Sequence, residues 1–407
     1  MKPVVNIIFD ENAHGVYYSG QVVSGKIEVI FSHSKKVRGI ILNIIGLASA
    51  QWVMRAFAGR SRRRRRFTGK EIYLSSSQYI YGSSHAPPAV IQPGSYTYNF
   101  SCQLPYEVPS SFESPYGHIR YSVKVVLDRP KRFDDSFTKN FTVLKALDLN
   151  YEPPAIRVVT EAHMSKAFWG GLSTNPLKLK ASIPQAGFVP GQTIPIHADI
   201  DNTSNIPVSR VYFCINQIIH YSADLPYPST KTHVSRVASA KVVEVIGPKD
   251  SAQFDQNLVV PPIAPTSPPY ARVVKVSYEI KVEAVVAGLH RNPVVTIPII
   301  LGTVPLIGAS PKDLEMMYAQ NSVAEPTPST STAPPVVAET DMSGPNIPPP
   351  SYEEAMLMER SQVADEGQEP SIQTEFTPRY PVYSSIPLVV ERTPPENDTT
   401  KEKIVPC

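Results

Sequence analysis

Short runs of alternating apolar and polar residues, each broken by Gly, Pro or Ser, make up most of the first 310 residues of this chain. Ile119, Tyr121 and Val123 share one face of an extended segment, whereas Arg120 and Ser122 share the opposite face. No helical periodicity appears over the same stretch. Half-buried strands separated by frequent turns are typical of an all-β sandwich, and this is the fold class that the pattern predicts.

The β-rich part of the chain repeats itself. Residues 18–25 and 188–195 each contain an aromatic residue, a Gly-Gln turn and a strand-like run. Residues 118–125 and 275–282 form a second matching pair, each with a central tyrosine, and the two pairs occur in the same order. Either match alone carries little weight, but two matches in order favour two homologous sandwiches in tandem.

Changes in composition indicate where these parts begin and end. Pro153, Pro154, Gly170 and Gly171 interrupt the strand pattern between the repeats. Towards the C-terminus the chain becomes rich in Pro, Ser and Thr and poor in aromatic residues, so it cannot bury enough apolar area to offset its chain entropy. The predicted organisation is an N-terminal sandwich (1–150), an interdomain connection (151–175), a C-terminal sandwich (176–308) and a disordered, acidic, Pro-rich tail (309–407).

Charge is divided unevenly along the chain. Residues 311–407 carry 16 acidic and 6 basic side chains, a net charge of −10, although the whole chain is at +3. The difference, 3 minus −10, leaves +13 on residues 1–310. A basic body with an acidic tail favours partners with anionic surfaces, such as membrane headgroups or phosphorylated segments, and no feature indicates specific nucleic-acid binding.

The expected compartment is the cytoplasm. The N-terminal apolar stretch is short and lacks a small-residue cleavage site, so no signal peptide is predicted. The most apolar later run, 294–308, contains Pro298 and Pro305 and is shorter than the roughly 20 residues that a membrane span needs. Three cysteines without paired spacing fit a reducing compartment better than a disulfide framework.

The clearest binding motif is Pro349-Pro350-Ser351-Tyr352 in the tail. Adjacent prolines favour an extended polyproline II helix at low entropic cost. Such a helix fits the aromatic groove of a WW domain, and a following tyrosine fills the neighbouring pocket. The predicted WW-binding residues are therefore Pro349, Pro350 and Tyr352.

A weaker second WW site is predicted at residues 377–383. This stretch offers two half-motifs, each with one proline ahead of a tyrosine, made by Pro378, Tyr380, Pro381 and Tyr383. Two linked sites would raise avidity for a partner with several WW domains. The alternative is that the stretch is ordinary disordered tail.

Six arginines lie between two strand-like segments, at the expected tip of a hairpin. They are candidates for contact with anionic lipid or with a phosphorylated protein segment, at about 1 kcal/mol per basic residue near a charged leaflet. A solvated loop without a partner and a nuclear-localisation signal are the alternatives. The residues are Arg60, Arg62, Arg63, Arg64, Arg65 and Arg66.

No motif indicates catalysis. The sequence has no Cys-x-x-Cys, no Gly-x-Ser-x-Gly and no phosphate-binding glycine loop, and its histidines are scattered. Cys214 alternates into an apolar run and is expected to be a buried structural thiol. The chain is therefore predicted not to be an enzyme, and no cofactor or metal is expected.

Several segments together resemble the α-arrestins, or arrestin-domain-containing proteins, over essentially the whole chain. The resemblance implies two arrestin-type, immunoglobulin-like β-sandwiches in tandem and a tail that recruits HECT-type ubiquitin ligases through their WW domains. Relatives often carry two full Pro-Pro-x-Tyr motifs, whereas the second is degraded here. The matching segments are 18–25, 111–113, 117–121, 127–130 and 300–306.

With the resemblance, the expected function is that of an adaptor. It would link membrane receptors or transporters to WW-domain ubiquitin ligases and promote ubiquitination and endocytic sorting, peripherally at the plasma membrane and endosomes. One alternative is an arrestin that binds phosphorylated receptors and desensitises them sterically, although no acidic clathrin box is present in the tail. Another is a thioredoxin-linked redox or metabolic regulator, for which only Cys102, Cys214 and Cys407 could serve.

Overall fold

The computed structural model of the chain describes residues 2–10, 15–58, 61–130, 132–168, 175–307 and 376–383. Over these residues it consists of strands and two short 3₁₀ turns, Leu149–Tyr151 and Pro154–Arg157. The strands of the first sandwich are β1 (Val4–Phe9), β2 (Val16–Tyr18), β3 (Val22–Phe31), β4 (Lys35–Val37), β5 (Gly39–Ala58), β6 (Ser61–Gly82), β7 (Ala89–Ile91), β8 (Gly94–Gln103), β9 (Phe112–Ser114), β10 (Gly117–Asp128) and β11 (Asp135–Leu144). Those of the second are β12 (Thr160–Lys166), β13 (Leu177–Ile183), β14 (Gly187–Phe188), β15 (Thr193–Asn202), β16 (Val208–Ala223), β17 (Ser229–Val242), β18 (Asp250–Val259), β19 (Val274–Val286) and β20 (Val294–Leu301).

The two sandwiches have the same plan. In the first, the sheet β1-β3-β8 faces the sheet β2-β11-β10-β5-β6, with β9 paired to β10 and a small β4-β7 ribbon beside them. In the second, the sheet β12-β13-β15-β18 faces the sheet β14-β20-β19-β16-β17. Each larger sheet ends in a short strand that pairs in parallel, β2 with β11 and β14 with β20. The predicted fold class, two tandem β-sandwiches, is confirmed.

The turn after each short parallel strand is built in the same way. The Gln21 side chain accepts a hydrogen bond from the Tyr18 N–H (2.8 Å), and the Gln192 side chain accepts one from the Val189 N–H (3.2 Å). The glycine before each glutamine has a positive φ, +84° in the first turn and +90° in the second. A left-handed backbone at this point favours glycine, which explains the repeated Gly-Gln pair.

The repeated tyrosines also occupy equivalent places. Tyr121 in β10 and Tyr278 in β19 are both buried, and each donates its hydroxyl hydrogen to a backbone carbonyl. The acceptors are Pro109 O at 2.7 Å and Ala264 O at 2.6 Å. A buried phenol needs such a partner, so each tyrosine fixes the Pro-rich segment that precedes its strand against the core.

Inward-facing side chains of the alternating strands form the core of each sandwich. In β10 every second residue from Gly117 to Leu127 is buried, and β19 shows the same alternation from Val274 to Val286. The polar strand β12 pairs with β13 at the edge of its sheet, so the second sandwich begins within the stretch 151–175 predicted as connection. Strand β12 was not predicted from the sequence, because an edge strand of this kind needs no apolar face.

Backbone hydrogen bonds join the two sandwiches directly. Thr68 of β6 donates its N–H to Leu225 O (2.9 Å), and Leu225 donates back to Thr68 O (3.2 Å). The segment after β11 is also tied to the end of the second sandwich, because Thr303 donates its N–H to Leu147 O at 2.8 Å. Among the described residues, no helix has the length and apolar character needed to cross a membrane.

Candidate functional site

The principal predicted WW ligand, made by Pro349, Pro350 and Tyr352, lies outside the described residues and remains a prediction. The second predicted site does lie within them. Residues 376–383, called the tail segment below, are seated in a groove where the two sandwiches meet. The tail segment is therefore an ordered part of the body rather than disordered tail.

Tyr383 anchors the end of the tail segment. Its ring is buried in an apolar cluster, and its hydroxyl donates to Thr303 O at 2.7 Å. Its backbone N–H donates to Pro190 O at 3.0 Å. Burial, and to a lesser extent nearby Tyr18 and Asp148, raises the pKa of Tyr383 to about 12, so the phenol stays a neutral donor at physiological pH. The other buried members of the cluster are Leu149, Ile156, Ala186, Val189 and Leu306.

Apolar contacts extend along the tail segment. Val382 is fully buried, and Pro378 and Pro381 are also buried, whereas Thr377 is exposed. The groove beneath them is lined by residues of both sandwiches. They include Leu144 from the first sandwich and Pro190, Ile263, Pro265, Gly302 and Thr303 from the second.

The other half of the tail segment makes hydrogen bonds to the first sandwich. The Tyr380 hydroxyl donates to Ser111 O at 2.9 Å, and the Arg379 N–H donates to the Thr142 hydroxyl at 3.3 Å. Ser111 is itself fixed, because its hydroxyl accepts a hydrogen bond from the Val143 N–H at 2.9 Å. One short peptide thus makes hydrogen bonds to both sandwiches.

Gly191 is the position where the groove depends on glycine. Its φ is +90°, and a Cβ placed there would collide with the Tyr383 backbone carbonyl and with Val382. A side chain at this position would therefore both strain the turn and push the tail segment out of the groove.

The placement of these residues bears on the predicted second WW site. With Pro378, Pro381 and Tyr383 buried, a WW domain cannot reach them without displacing the tail segment. Sequence reasoning noted the Pro and Tyr spacing but missed the groove on the same chain. The available signal was the apolar run 380–383, one of several in the acidic tail, with others at 355–358 and 386–390.

The predicted arginine site lies in strand β6 rather than in a loop. Arg60 is outside the described residues, and Arg62 and Arg63 pair with β5 opposite Phe57 and Ala56. The last three arginines of the run, Arg64, Arg65 and Arg66, are exposed. The expected hairpin is present, but its strands are longer than the sequence indicated: pairing with β5 carries β6 through the arginines, and a run of one residue type shows no alternation that would reveal this.

The exposed arginines stand beside exposed apolar side chains. Arg65 pairs with Met54 and Arg66 with Val53, and these two apolar residues are 49% and 52% exposed. The Arg65 guanidinium carbon also lies 5.6 Å from the centre of the Tyr227 ring, in the second sandwich. Successive residues of a strand point to opposite faces, so each of the two pairs sets a basic group beside an apolar one on its own face of the hairpin. Such neighbours suit contact with anionic headgroups and acyl chains.

A carboxylate links the sandwiches on the same strand. Glu71 of β6 accepts hydrogen bonds from the backbone N–H groups of Arg272 (3.0 Å) and Val273 (3.2 Å), from Arg272 Nε (3.0 Å) and from the Tyr73 hydroxyl (2.7 Å). Burial acts to raise its pKa, but these hydrogen bonds together lower the pKa of Glu71 below its ordinary value. The ionised carboxylate is therefore the form that joins the two domains.

The thiols and the metal-binding side chains form no reactive centre in the part of the chain that the structure describes. Cys214 is buried as expected and Cys102 is partly buried, and burial raises the pKa of both thiols. Thiols with raised pKa values are poor nucleophiles at neutral pH. No cluster of three metal-ligating side chains occurs among these residues.

Comparison with known proteins agrees with this architecture. Residues 5–150 match the family model for the arrestin (or S-antigen) N-terminal domain, and residues 173–306 match that for the C-terminal domain. The two matches follow one another in the order of the two sandwiches.

Individual relatives are similar over most of the chain. Arrestin domain-containing protein 4 of Homo sapiens is 27% identical over 365 residues, which cover 85% of this chain and 84% of that protein. Arrestin domain-containing protein 17 of Caenorhabditis elegans is 25% identical over 310 residues, covering 74% and 70%. Thioredoxin-interacting protein of Mus musculus is 26% identical over 290 residues, covering 71% and 70%. With both arrestin domains in place and these relatives along most of its length, the chain belongs to the α-arrestin family of adaptors and regulators.

Proposed function

We propose that the chain is a non-catalytic adaptor that brings WW-domain HECT-type ubiquitin ligases to membrane receptors or transporters and so promotes their ubiquitination and endocytic sorting. The observation that carries the proposal is Pro349-Pro350-Ser351-Tyr352 in a chain with the α-arrestin architecture. The motif has the two adjacent prolines and the tyrosine that a WW groove recognises. Neither sandwich offers a reactive thiol or a metal cluster among the described residues, which supports a binding role.

The two ends of the adaptor have separate tasks. The sandwiches present broad folded surfaces for cargo, whereas the motif around Tyr352 takes the ligase. Ubiquitin transfer then depends on the ligase being held near the cargo, because linked binding sites raise the effective concentration of one partner at the other. The adaptor supplies proximity and no chemistry of its own.

We place the adaptor in the cytoplasm, peripherally at the plasma membrane and endosomes. Support comes from the basic body and from the exposed strip where Arg65 and Arg66 lie opposite Met54 and Val53. Basic side chains near an anionic leaflet each contribute about 1 kcal/mol of attraction. Contact through this strip would hold the body close to membrane cargo.

Two other functions are less well supported. The similarity to thioredoxin-interacting protein favours a redox regulator, but the pKa values of Cys102 and Cys214 are raised by burial. Cys407 lies outside the described residues. A sterically acting arrestin would not need the WW motif that this tail carries.

Replacing Tyr352 with Ala in the full chain tests the proposal. Removing the ring should weaken co-purification of a WW-containing HECT ligase by about thirtyfold, the equivalent of a roughly 2 kcal/mol hot spot. Pro350→Ala should also weaken it strongly, whereas the matched control Glu354→Ala should have little effect. Binding to membrane cargo should survive all three changes. Full ligase binding by Tyr352→Ala after deletion of residues 377–383 would contradict the proposal.

A further inference from the structure

The tail segment makes hydrogen bonds to two domains at once. Tyr380 and Arg379 contact the first sandwich, whereas Tyr383 contacts Thr303 and Pro190 of the second. The buried side chains between them fill the junction where the sandwiches meet. A peptide placed this way resists any motion that separates the sandwiches along the groove.

The tail segment, residues 376–383, is shorter than a core strand such as β10 (Gly117–Asp128). Its hydrogen bonds to the body include those of Arg379, Tyr380 and Tyr383, and its buried side chains are those of Pro378, Pro381, Val382 and Tyr383. By comparison, β10 pairs along its whole length with β5 on one side and with β9 and β11 on the other. Short docked elements can open at lower free energy than the global fold, so the tail segment can leave the groove while the sandwiches stay folded.

We propose that the tail segment is an intramolecular latch: docked, it fixes the two sandwiches together and withholds Tyr380 and Tyr383 from WW domains, and released, it becomes the second ligase-binding site. The docking part stands on the contacts above. The ligase part rests on the proposed function. The same prolines and tyrosines serve in both states, so the two states exclude one another.

A ligase with several WW domains has the means to open the latch. Once one WW domain holds the motif at Tyr352, a second domain on the same ligase faces the tail segment at an effective concentration on the order of millimolar. Such a concentration competes with an intramolecular contact of modest stability. A single WW domain in dilute solution lacks this advantage.

Val382→Asp separates docking from WW recognition. Val382 is fully buried in the groove, and a carboxylate there would lose its water without gaining a partner. In the half-motif Pro381-Val382-Tyr383, Val382 occupies the variable position, whose side chain a WW groove does not recognise. The change therefore leaves the WW-binding residues Pro381 and Tyr383 in place. Thr377→Asp is the matched control, because it adds the same charge at an exposed position of the tail segment. Val382→Ala is a milder variant that should give an intermediate result.

The first readout is hydrogen–deuterium exchange of the full chain. The amides of Arg379 and Tyr383 donate to the body, so they should exchange slowly in the unmodified chain and in Thr377→Asp. In Val382→Asp they should exchange at least about tenfold faster, with the core strands unchanged. Equal exchange in Val382→Asp and Thr377→Asp would overturn the latch.

The second readout is the affinity of an isolated WW domain for the chain carrying Tyr352→Ala, which removes the principal site. Adding Val382→Asp should raise this affinity at least about tenfold over adding Thr377→Asp, towards that of a free synthetic peptide of residues 374–386. No gain, or no binding to the free peptide, would overturn the ligase part. Failure of the proposed function would give a different result. In that case Tyr352→Ala would bind the ligase as well as the unmodified chain does.

Discussion

Removal of the Glu71 carboxylate should weaken the joint between the two sandwiches. Glu71 comes from the first sandwich, and three of its four hydrogen bonds come from Arg272 and Val273 of the second. The fourth comes from Tyr73. Glu71→Ala deletes the acceptor for all of them and leaves the surrounding strands otherwise unchanged.

The expected loss can be estimated from how buried each partner is. Arg272 is 80% exposed, so its ion pair with Glu71 is screened by solvent and contributes little to stability. The Tyr73 hydroxyl and the Val273 N–H are partly buried, and each costs about 1–3 kcal/mol when left without a partner. Glu71→Ala should therefore lower the free energy of unfolding by about 3 kcal/mol. Glu71→Gln, which keeps one acceptor oxygen, should cost about 1 kcal/mol.

The effect of pH follows from the direction of the pKa shift. Since the folded-state pKa of Glu71 is lowered, its contribution is fully present above the unfolded pKa of 4.5 and is lost as the pH falls through the folded value. The difference in stability between the unmodified chain and Glu71→Gln should thus be largest near neutral pH. It should shrink as the pH falls below about 4.

Urea denaturation followed by tryptophan fluorescence is a suitable assay. Trp52 is buried and stacks on Phe67 with ring centres 5.6 Å apart, close to the joint between the domains. Glu244→Gln, at an exposed site, controls for the change in net charge. A double-mutant cycle with Tyr73→Phe should give a coupling energy of at least about 1 kcal/mol. A loss below about 0.5 kcal/mol for Glu71→Ala would refute the reasoning.

Two further predictions concern the repeated tyrosines and the basic strip. Tyr121→Phe and Tyr278→Phe each leave a buried carbonyl unpaired, so each should lower the free energy of unfolding by about 1–2 kcal/mol in urea denaturation; an effect in only one sandwich would contradict their equivalence. Changing Arg64, Arg65 and Arg66 to Ser should weaken binding to acidic vesicles by about a hundredfold at low salt without changing stability. Binding insensitive to salt and to these changes would leave the strip without a membrane role.

The repeat is the part of the fold that the sequence predicted best. The Gly-Gln turns and the tyrosines Tyr121 and Tyr278 occupy equivalent places, because each depends on local requirements: a positive φ, a hydroxyl acceptor and period-2 alternation. Such local requirements can be recognised from the residue types in a short stretch of sequence. That is why the tandem sandwiches could be predicted without a structure.

The features that the sequence did not reveal depend on residues far apart in the chain. The groove that holds Tyr383 is formed by Leu144, Pro190 and Thr303. No local sequence pattern predicts that these residues lie next to one another. The extent of the strands around the arginine run was missed for a related reason, since the strand conformation of the arginines comes from pairing with β5. Both the groove and the strand conformation of the arginines depend on long-range packing, which the periodicity of a single segment does not predict.

Under the latch proposal, docking and ligase binding are linked by a single equilibrium. A WW domain that binds Tyr380 or Tyr383 must first free it from Ser111 or Thr303, so every kilocalorie that stabilises the docked tail segment is subtracted from that ligase affinity. The coupling is reciprocal: a ligand that favours the closed junction weakens ligase binding by the same factor by which ligase binding weakens that ligand. The motif at Tyr352 lies outside the latch sequence and escapes this penalty. Occupancy of the first site therefore reports the presence of ligase, whereas occupancy of the second reports the state of the junction between the sandwiches.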